Sequence, residues 1–373
     1  MLIELRTNAL VRGDCDAALE YSQALLARGE ALQDRLYLLH GHTAMAVNRF
    51  YSGEYPEALR HIEEVARRYE LQVDRQTAAQ VGFDPLVMSW FYGGIIGWTQ
   101  GDFVAESSGA RRAEEVAASI GHPHVTGMVL LGRAVLAGFH GDTVTCAAEA
   151  AKLKDLSAEQ QFPDWLGCAE AYLGWASAMQ GDPAGVRQCR DAVAHLGVRR
   201  FYINHPLLLS LLVECALVHG ETGIAGDALA EAERVTTRGG VHYWDAERER
   251  LHGELLAATA GGDPEKLAQA ATHFERALSM AQSQGALSFA LRAARGMAHM
   301  LDAQGRHVEA RDQVRAVASR FSATADSPEL SAARSYVEKS GTDHDFRDFR
   351  ENRGLSPISA ISPPSRASTS PTD

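Results

Sequence analysis

Metal chemistry is the first possibility that residue types raise, through two His-x-His pairs, His40/His42 and His122/His124. Two imidazoles share one helix face at i, i+4 spacing, and neither pair has it. No cysteine or acidic cluster stands beside them, and His122-Pro123-His124 falls at a junction between repeat units. The five cysteines (Cys15, Cys146, Cys168, Cys189, Cys215) are scattered and never form C-x-x-C. That pattern argues against a zinc cluster or a disulfide framework and fits a reducing cytosol. Phosphate chemistry finds no cradle either. G-x-x-x-x-G-K-[ST] is absent, and Gly93-Gly94-x-x-Gly97 lies in a helical stretch, where close helix packing explains the glycines. G-x-S-x-G and H-E-x-x-H are also missing. Carboxylate pairs such as Glu63-Glu64, Glu114-Glu115 and Glu247/Glu249 are expected on the exposed faces of an acidic helical protein. The expectation is a non-enzyme with no catalytic residue, no metal and no cofactor.

Recognition is the chemistry that remains. Trp90, Tyr92, Trp98, Trp165, Trp175, Phe201, Tyr202, Tyr243 and Trp244 cluster on or near the first helices of the repeat units described next. Packing between repeats accounts for such residues in the first instance. A sharper reading takes Trp165, Tyr202 and Trp244, in successive units and near Arg199 and Arg200, as a groove for a peptide or small ligand. Replacing Arg200 and Tyr202 would then abolish partner capture and leave folding intact.

The elements that position these residues follow from an internal repeat. Turn glycines, usually followed by an acidic residue, occur at Gly13, Gly53, Gly101, Gly141, Gly181, Gly220, Gly262 and Gly305, at spacings of 40, 48, 40, 40, 39, 42 and 43. Glycine takes the left-handed conformation just past a helix end at low cost. An Asp or Glu after it caps the next helix or meets the positive end of its dipole. Pro56, Pro183 and Pro264 fit the first turn of that second helix. A second ruler, Pro85, Pro123, Pro163 and Pro206, falls half a period away and marks the start of each first helix. The two rulers predict an all-α, right-handed α-solenoid of about eight TPR-like helical hairpins over residues 1–339.

Details within the units agree. The position five after the turn glycine is small at Ala18, Ala58, Ala225 and Ala310, and departs at Glu106, Cys146 and Val186. Ala270, Phe274, Ala277 and Leu278 reproduce the TPR spacing A-x-x-x-F-x-x-A-L, and Leu173-Gly174 falls where TPRs place that pair. A last amphipathic helix is predicted at about 328–339 as a cap. Residues 340–373 are Ser/Pro-rich towards their end and predicted to be a disordered tail.

Composition narrows the partners. The chain has 373 residues, 36 basic against 48 acidic side chains and a formal net charge of −12. Nucleic-acid binding, which needs a basic face, is not expected. The pairs Arg67-Arg68, Arg111-Arg112 and Arg199-Arg200 read as solvated helix faces. Glu4 and Arg6 interrupt any signal-peptide core at the N-terminus, and the uncharged stretch 85–101 reads as a buried solenoid helix rather than a membrane span. A cytoplasmic protein without membrane attachment is the expectation.

The stretches LGWASAMQGDPAGV (173–186), HYWDAERERLHGELL (242–256), ATHFERALSMAQSQGALSFALRAARGMA (271–298) and SPELSAARSYVEK (327–339) resemble the C-terminal TPR-like region of bacterial multidomain signalling proteins. In those proteins the region follows a class III nucleotidyl cyclase-like domain and an AAA/STAND-type ATPase. GFDPLVMSWFYGGIIGWTQGD (82–102) resembles the same family's central units. The resemblance spans roughly residues 5 to 339. It implies a regulatory arm without its catalytic modules, whose partner is a protein or peptide, a cyclase or ATPase module encoded nearby among the candidates. Two readings follow. One is a non-catalytic interaction scaffold gripping a partner on its concave face, and the other a small-molecule sensor. A deep, closed apolar pocket would fit the sensor, and an open groove with a charged rim the scaffold. Convergent His, Cys or carboxylate groups of shifted pKa would point to an enzyme.

Overall fold

The computed structural model describes residues 1–76 and 82–338, the side chain of Arg238 excepted. Among the described residues there are eighteen helices and no strand. The first four hairpins are α1–α2 (Leu2–Val11, Cys15–Leu32), α3–α4 (Arg35–Tyr51, Tyr55–Arg68), α6–α7 (Pro85–Gln100, Phe103–Ile120) and α8–α9 (Pro123–Phe139, Thr143–Gln160). Short α5 (Leu71–Asp74) lies between the second and third. The next four are α10–α11 (Pro163–Met179, Ala184–Val198), α12–α13 (His205–Val218, Thr222–Gly239), α14–α15 (Asp245–Thr259, Pro264–Ser283) and α16–α17 (Leu287–Ala303, His307–Ala318). Helix α18 (Pro328–Glu338) closes the array where the capping helix is expected. Residues 339–373, including the predicted tail, lie outside the described residues. No helix among the described residues is long and apolar enough to cross a membrane.

Both rulers work as expected. All eight turn glycines take positive φ. Asp14, Asp102, Asp142, Asp182 and Asp263 each accept a backbone N–H from the start of the following helix, at 2.9–3.0 Å. Pro85, Pro123 and Pro163 are the first residues of α6, α8 and α10, and Pro206 the second of α12. Pro183 differs slightly, standing just ahead of α11. Ala18, Ala58, Ala225 and Ala310 are completely buried where the two helices of a hairpin cross. Leu173-Gly174 has the expected cause, because a Cβ on Gly174 would lie 2.5 Å from the Cys189 amide of the partner helix.

What the repeat does not foretell is how tightly the solenoid winds. The C-terminal carbonyls of four successive first helices are capped by donors from much later in the chain. Val11 O accepts from the Tyr202 and Ile203 amides (2.8 and 3.3 Å), and Tyr51 O from those of His242 and Tyr243 (2.8 and 3.0 Å). Trp98 O accepts from Ser288 Oγ at 2.5 Å, and Phe139 O from Arg292 Nη2 at 2.9 Å. The ends of the first helices of hairpins one to three thus meet the starts of hairpins six to eight, so one superhelical turn takes five hairpins and successive turns touch. Carbonyls left over at a helix end are satisfied across the seam, and negative dipole ends face positive ones.

The axis of this superhelix is filled. Phe50 from the first turn packs on its neighbour Tyr92 and on Tyr243 from the second, at ring separations of 4.8 and 5.1 Å. The chain of rings continues through Trp244, Phe139, Trp98 and Phe289, neighbours lying 4.5–5.6 Å apart. Pairs of this kind contribute about 0.5–1.5 kcal/mol beyond the area they bury. The cavity beside them, bordered by Tyr51, Tyr92, Tyr172 and Asn204, measures only about 20 Å³, room for a single water.

Beside the rings runs a buried ionic chain. Arg250, fully enclosed on α14, bonds Glu247 at 2.9 and 3.0 Å, Glu254 at 2.7 Å and Glu214 of α12 at 3.0 Å. Glu247 also accepts from Arg292 at 3.0 Å, and Glu329 of α18 takes Arg295 at 3.0 Å. Trp175 Nε1 donates to Glu214 at 3.1 Å, and the Arg292 guanidinium stacks 4.8 Å over Trp98. Burial pushes Glu247 upward, but Arg250 and Arg292 outweigh it and hold the carboxyl below its ordinary range. The sequence expectation that Glu247 lies on an exposed face is corrected here. Glu247, Arg250 and Glu254 occupy the stripe of α14 where apolar residues would otherwise face the core.

His205, 3 % exposed at the start of α12, gives the fold an acid sensitivity. Burial alone pushes it down to about 4, against an ordinary value of 6.5. The unfolded chain therefore takes the proton first, so stability is full above about pH 6.5 and falls as pH drops towards 4. The loss amounts to roughly 3 kcal/mol for this residue. His205→Phe, which keeps the packing against Tyr202, is expected to reduce the fall in Tm between pH 7 and pH 5 relative to the parent chain. An unchanged pH profile in thermal melts would refute the assignment.

Candidate binding cleft

Between the two superhelical turns lies a cleft of about 840 Å³. One wall comes from α7, α8 and α9 of hairpins three and four, and the other from α16 and the start of α18. Its formation follows from the repeat. Helices α7 and α9 begin at the glycine turns of their hairpins, so the ends that reach the seam carry the residues just after Gly101 and Gly141. The sequence departs from the small-residue rule at this point, placing Glu106 where four other units have alanine.

Glu106 is 6 % exposed and shares Oε1 with His140 Nε2 at 2.8 Å, while its Oε2 is buried without a hydrogen-bond partner. Arg133 reaches across from α8 to Glu114 at 2.9 Å and Glu149 at 3.2 Å. On the far wall Arg295 is held by Glu329, so the buried ionic chain ends at the cleft. Asp142 caps Thr145, and Asp326 accepts from Ser331 Oγ at 2.7 Å. The lining thus carries five carboxylates against two guanidinium groups. Its dimensions are those of ligand pockets, which run to about 300–1,000 Å³.

The five residues predicted from sequence to form a groove lie elsewhere, and none of them lines this cleft. Trp165 is half-buried against His124, at a ring separation of 4.0 Å, and against Gly127, where it takes the place a Cβ would fill. Arg199 is exposed and pairs with Asp164 at 2.5 Å, and exposed Arg200 takes a left-handed φ of 59° in the turn after α11. Tyr202 is half-buried beside His205 and Gly13, its amide committed to Val11 O. Trp244 is 3 % exposed, its indole N–H donating to Ser210 Oγ at 2.8 Å. Trp165, Tyr202 and Trp244 therefore sit in three separate environments, the last of them in the core.

The residues that raised other chemistry take structural places. His42 Nδ1 meets His61 Nδ1 at 2.9 Å between α3 and α4, and burial, with Arg68 nearby, pushes His42 down to about 4. His40 packs edge-on to Phe83, and His122 accepts the His124 amide at the start of α8. All five cysteines are buried free thiols, and burial pushes Cys15, Cys146 and Cys168 up to about 12, far from the thiolate that nucleophilic work requires. Among the described residues no group of three or more His, Cys, Asp or Glu is placed to hold a metal ion. Gly97 lies where α6 and α7 cross, a Cβ there falling 2.9 Å from the Glu106 amide, so the glycine-rich run serves packing.

Sequence reasoning missed Glu106, Arg133, His140, Arg295 and Glu329. The legible signal was Glu106 itself, a carboxylate at a position the repeat reserves for a small residue.

No family model matches the chain, and no curated protein matches its sequence. Among solved structures, a Rap protein complexed with competence and sporulation factor superposes with a TM-score of 0.56 at 11% identity, over 90% of this chain and 95% of that one. At that identity the likeness establishes the helical-repeat fold and nothing finer. A circular tandem repeat protein with novel repeat topology aligns over 94% of this chain and 95% of that chain at 13% identity. Its TM-score of 0.24 carries no argument.

Proposed function

We propose that the protein is a non-catalytic binding scaffold that receives a peptide, free or as an extended segment of a partner protein, in the cleft between its superhelical turns. The observation that carries this reading is the cleft itself, open to solvent, about 840 Å³ in volume and rimmed by charge. The apolar cavity beside Tyr51 and Tyr172 has room for little more than a water, so it is not itself a small-molecule site. That the superposed Rap protein was solved in complex with competence and sporulation factor supports a binding role for a fold of this kind. A place in bacterial signal transduction, beside a cyclase or ATPase module, rests on the resemblance of residues 173–186, 242–256 and 271–298 to regulatory arms of that kind.

The test is selection of binders from a random peptide display library on the immobilised full chain, followed by challenge with Ala110→Trp, which plugs the cleft from α7. Thr145→Trp plugs it independently from α9. Enriched peptides should bind the parent chain and lose at least about tenfold in affinity for either plugged variant, while circular dichroism shows both to be folded. Peptides that bind parent and plugged chains alike would reject the cleft as the binding site.

A further inference from the structure

Resting on that reading, we infer that the cleft recognises a basic side chain of the bound segment, arginine or lysine, with Glu106 as the acceptor. Four of the five carboxylates in the lining already have their partners within this chain. Glu114 takes Arg133, Glu329 takes Arg295, Asp142 caps α9 and Asp326 holds Ser331. Glu106 is different. One oxygen is engaged by His140, while the other is buried and has no partner, on a side chain only 8 % exposed that lines the open cleft.

A carboxylate oxygen taken out of water without a hydrogen bond is costly, and a charged donor offers the largest relief. Both guanidinium groups of the lining are held by their own carboxylates, Arg133 by Glu114 and Glu149, Arg295 by Glu329. The cleft therefore presents unneutralised negative charge, and an anionic segment would meet the excess of carboxylates. A neutral donor, such as a peptide amide or a hydroxyl, would satisfy Glu106 Oε2 but leave the charge in place. Only a cationic N–H donor both completes its hydrogen bonding and offsets the charge. Ala110 and Ala137, small residues beside this wall, leave room for the stem of a long side chain.

The experiment uses the peptides enriched on the full chain. Each is resynthesised with its arginines replaced one at a time by citrulline and its lysines by norleucine, and binding is followed by fluorescence anisotropy. The expected result is that one basic position per peptide dominates, its neutral replacement weakening binding about tenfold or more, as for hydrogen bonds to charged groups. In Glu106→Gln, which keeps shape and removes charge, that preference should collapse to less than about threefold with Tm little changed, and Glu106→Asp should restore part of it. Peptides blocked by Ala110→Trp yet indifferent to citrulline or norleucine would overturn the inference and leave the scaffold reading standing. Retention of the full preference in Glu106→Gln would overturn it equally. Peptides indifferent to both plugs would sink both.

Discussion

Arg250→Met is expected to be the most damaging single substitution in the chain, lowering stability by several kcal/mol. Arg250 has no exposed surface and satisfies three carboxylates at once, Glu247, Glu254 and Glu214. Methionine fills much the same space, so packing is nearly conserved and the effect isolates charge. Removing one partner of a buried ion pair costs about 3–5 kcal/mol, because the other charge stays behind without compensation. Three such charges would stay behind here, Glu247 keeping a second cation in Arg292. Against a total of about 5–15 kcal/mol for a folded domain, the variant should be marginal at 25 °C.

The pH dependence gives a sharper check. In the parent chain Glu247 is held below its ordinary range, so its contribution is present above the unfolded value near 4.5 and fades as pH falls below it. In Arg250→Met the three carboxylates lose the guanidinium they share while staying buried, so they shift upward relative to the parent, and protonation relieves them. The deficit relative to the parent should therefore be largest at neutral pH and shrink on acidification to pH 5. Urea titrations at both pH values measure it. A deficit below about 1 kcal/mol at pH 7, or one that grows at pH 5, would show that the network is not held together by this guanidinium.

These charges also mark the limit of what a sequence discloses. Gly13, Gly53, Gly101 and their successors act through local backbone geometry, so helices, turns and hairpin order are legible from spacing alone. Pro85 and Pro123 are equally local. Whether Glu247 is solvated or buried, in contrast, depends on Glu214, Arg292 and the pitch that brings hairpin eight beneath hairpins three and four. A two-turn helix pattern of Glu247, Arg250 and Glu254 looks like an exposed ladder of pairs until something covers it. The cleft depends on the same pitch. Glu106 announces itself as an exception to the repeat, but Arg295 and Glu329 reach its neighbourhood only because five hairpins complete a turn. The arrangement of Trp165, Tyr202 and Trp244 depends on the pitch as well. Residues in successive units share one concave face only in an open solenoid, whereas the tight winding places Trp244 inside and leaves Tyr202 at a seam.

Trp244→Ala should decide between core and groove at that position, and its expected cost is about 3–5 kcal/mol, the range for truncating a buried Trp or Phe. Trp244 touches Phe139 from the first superhelical turn and Phe289 from the second, at ring separations of 5.5 and 5.0 Å. It also gives its indole N–H to Ser210 Oγ, which itself donates to Pro206 O at 2.9 Å. Truncation opens a cavity at the seam, removes both ring contacts and leaves the serine short of one donor. Trp244→Phe keeps a ring and should fall between the alanine variant and the parent. An open solenoid would confine such damage to neighbouring repeats, since its stability is close to a sum of nearest-neighbour terms. Here the contacts run between units far apart in sequence, from Phe139 to Trp244 and from Trp98 to Ser288, so the two turns should lose structure together. Chemical unfolding followed by far-UV circular dichroism and by tryptophan fluorescence should therefore give coincident transitions, both shifted to lower denaturant in Trp244→Ala. Peptide affinity of the folded fraction should stay within about threefold of the parent, because no atom of Trp244 lines the cleft. A variant with parental stability and lost peptide binding would instead restore Trp244 to a binding surface and count against the closed winding on which the cleft depends.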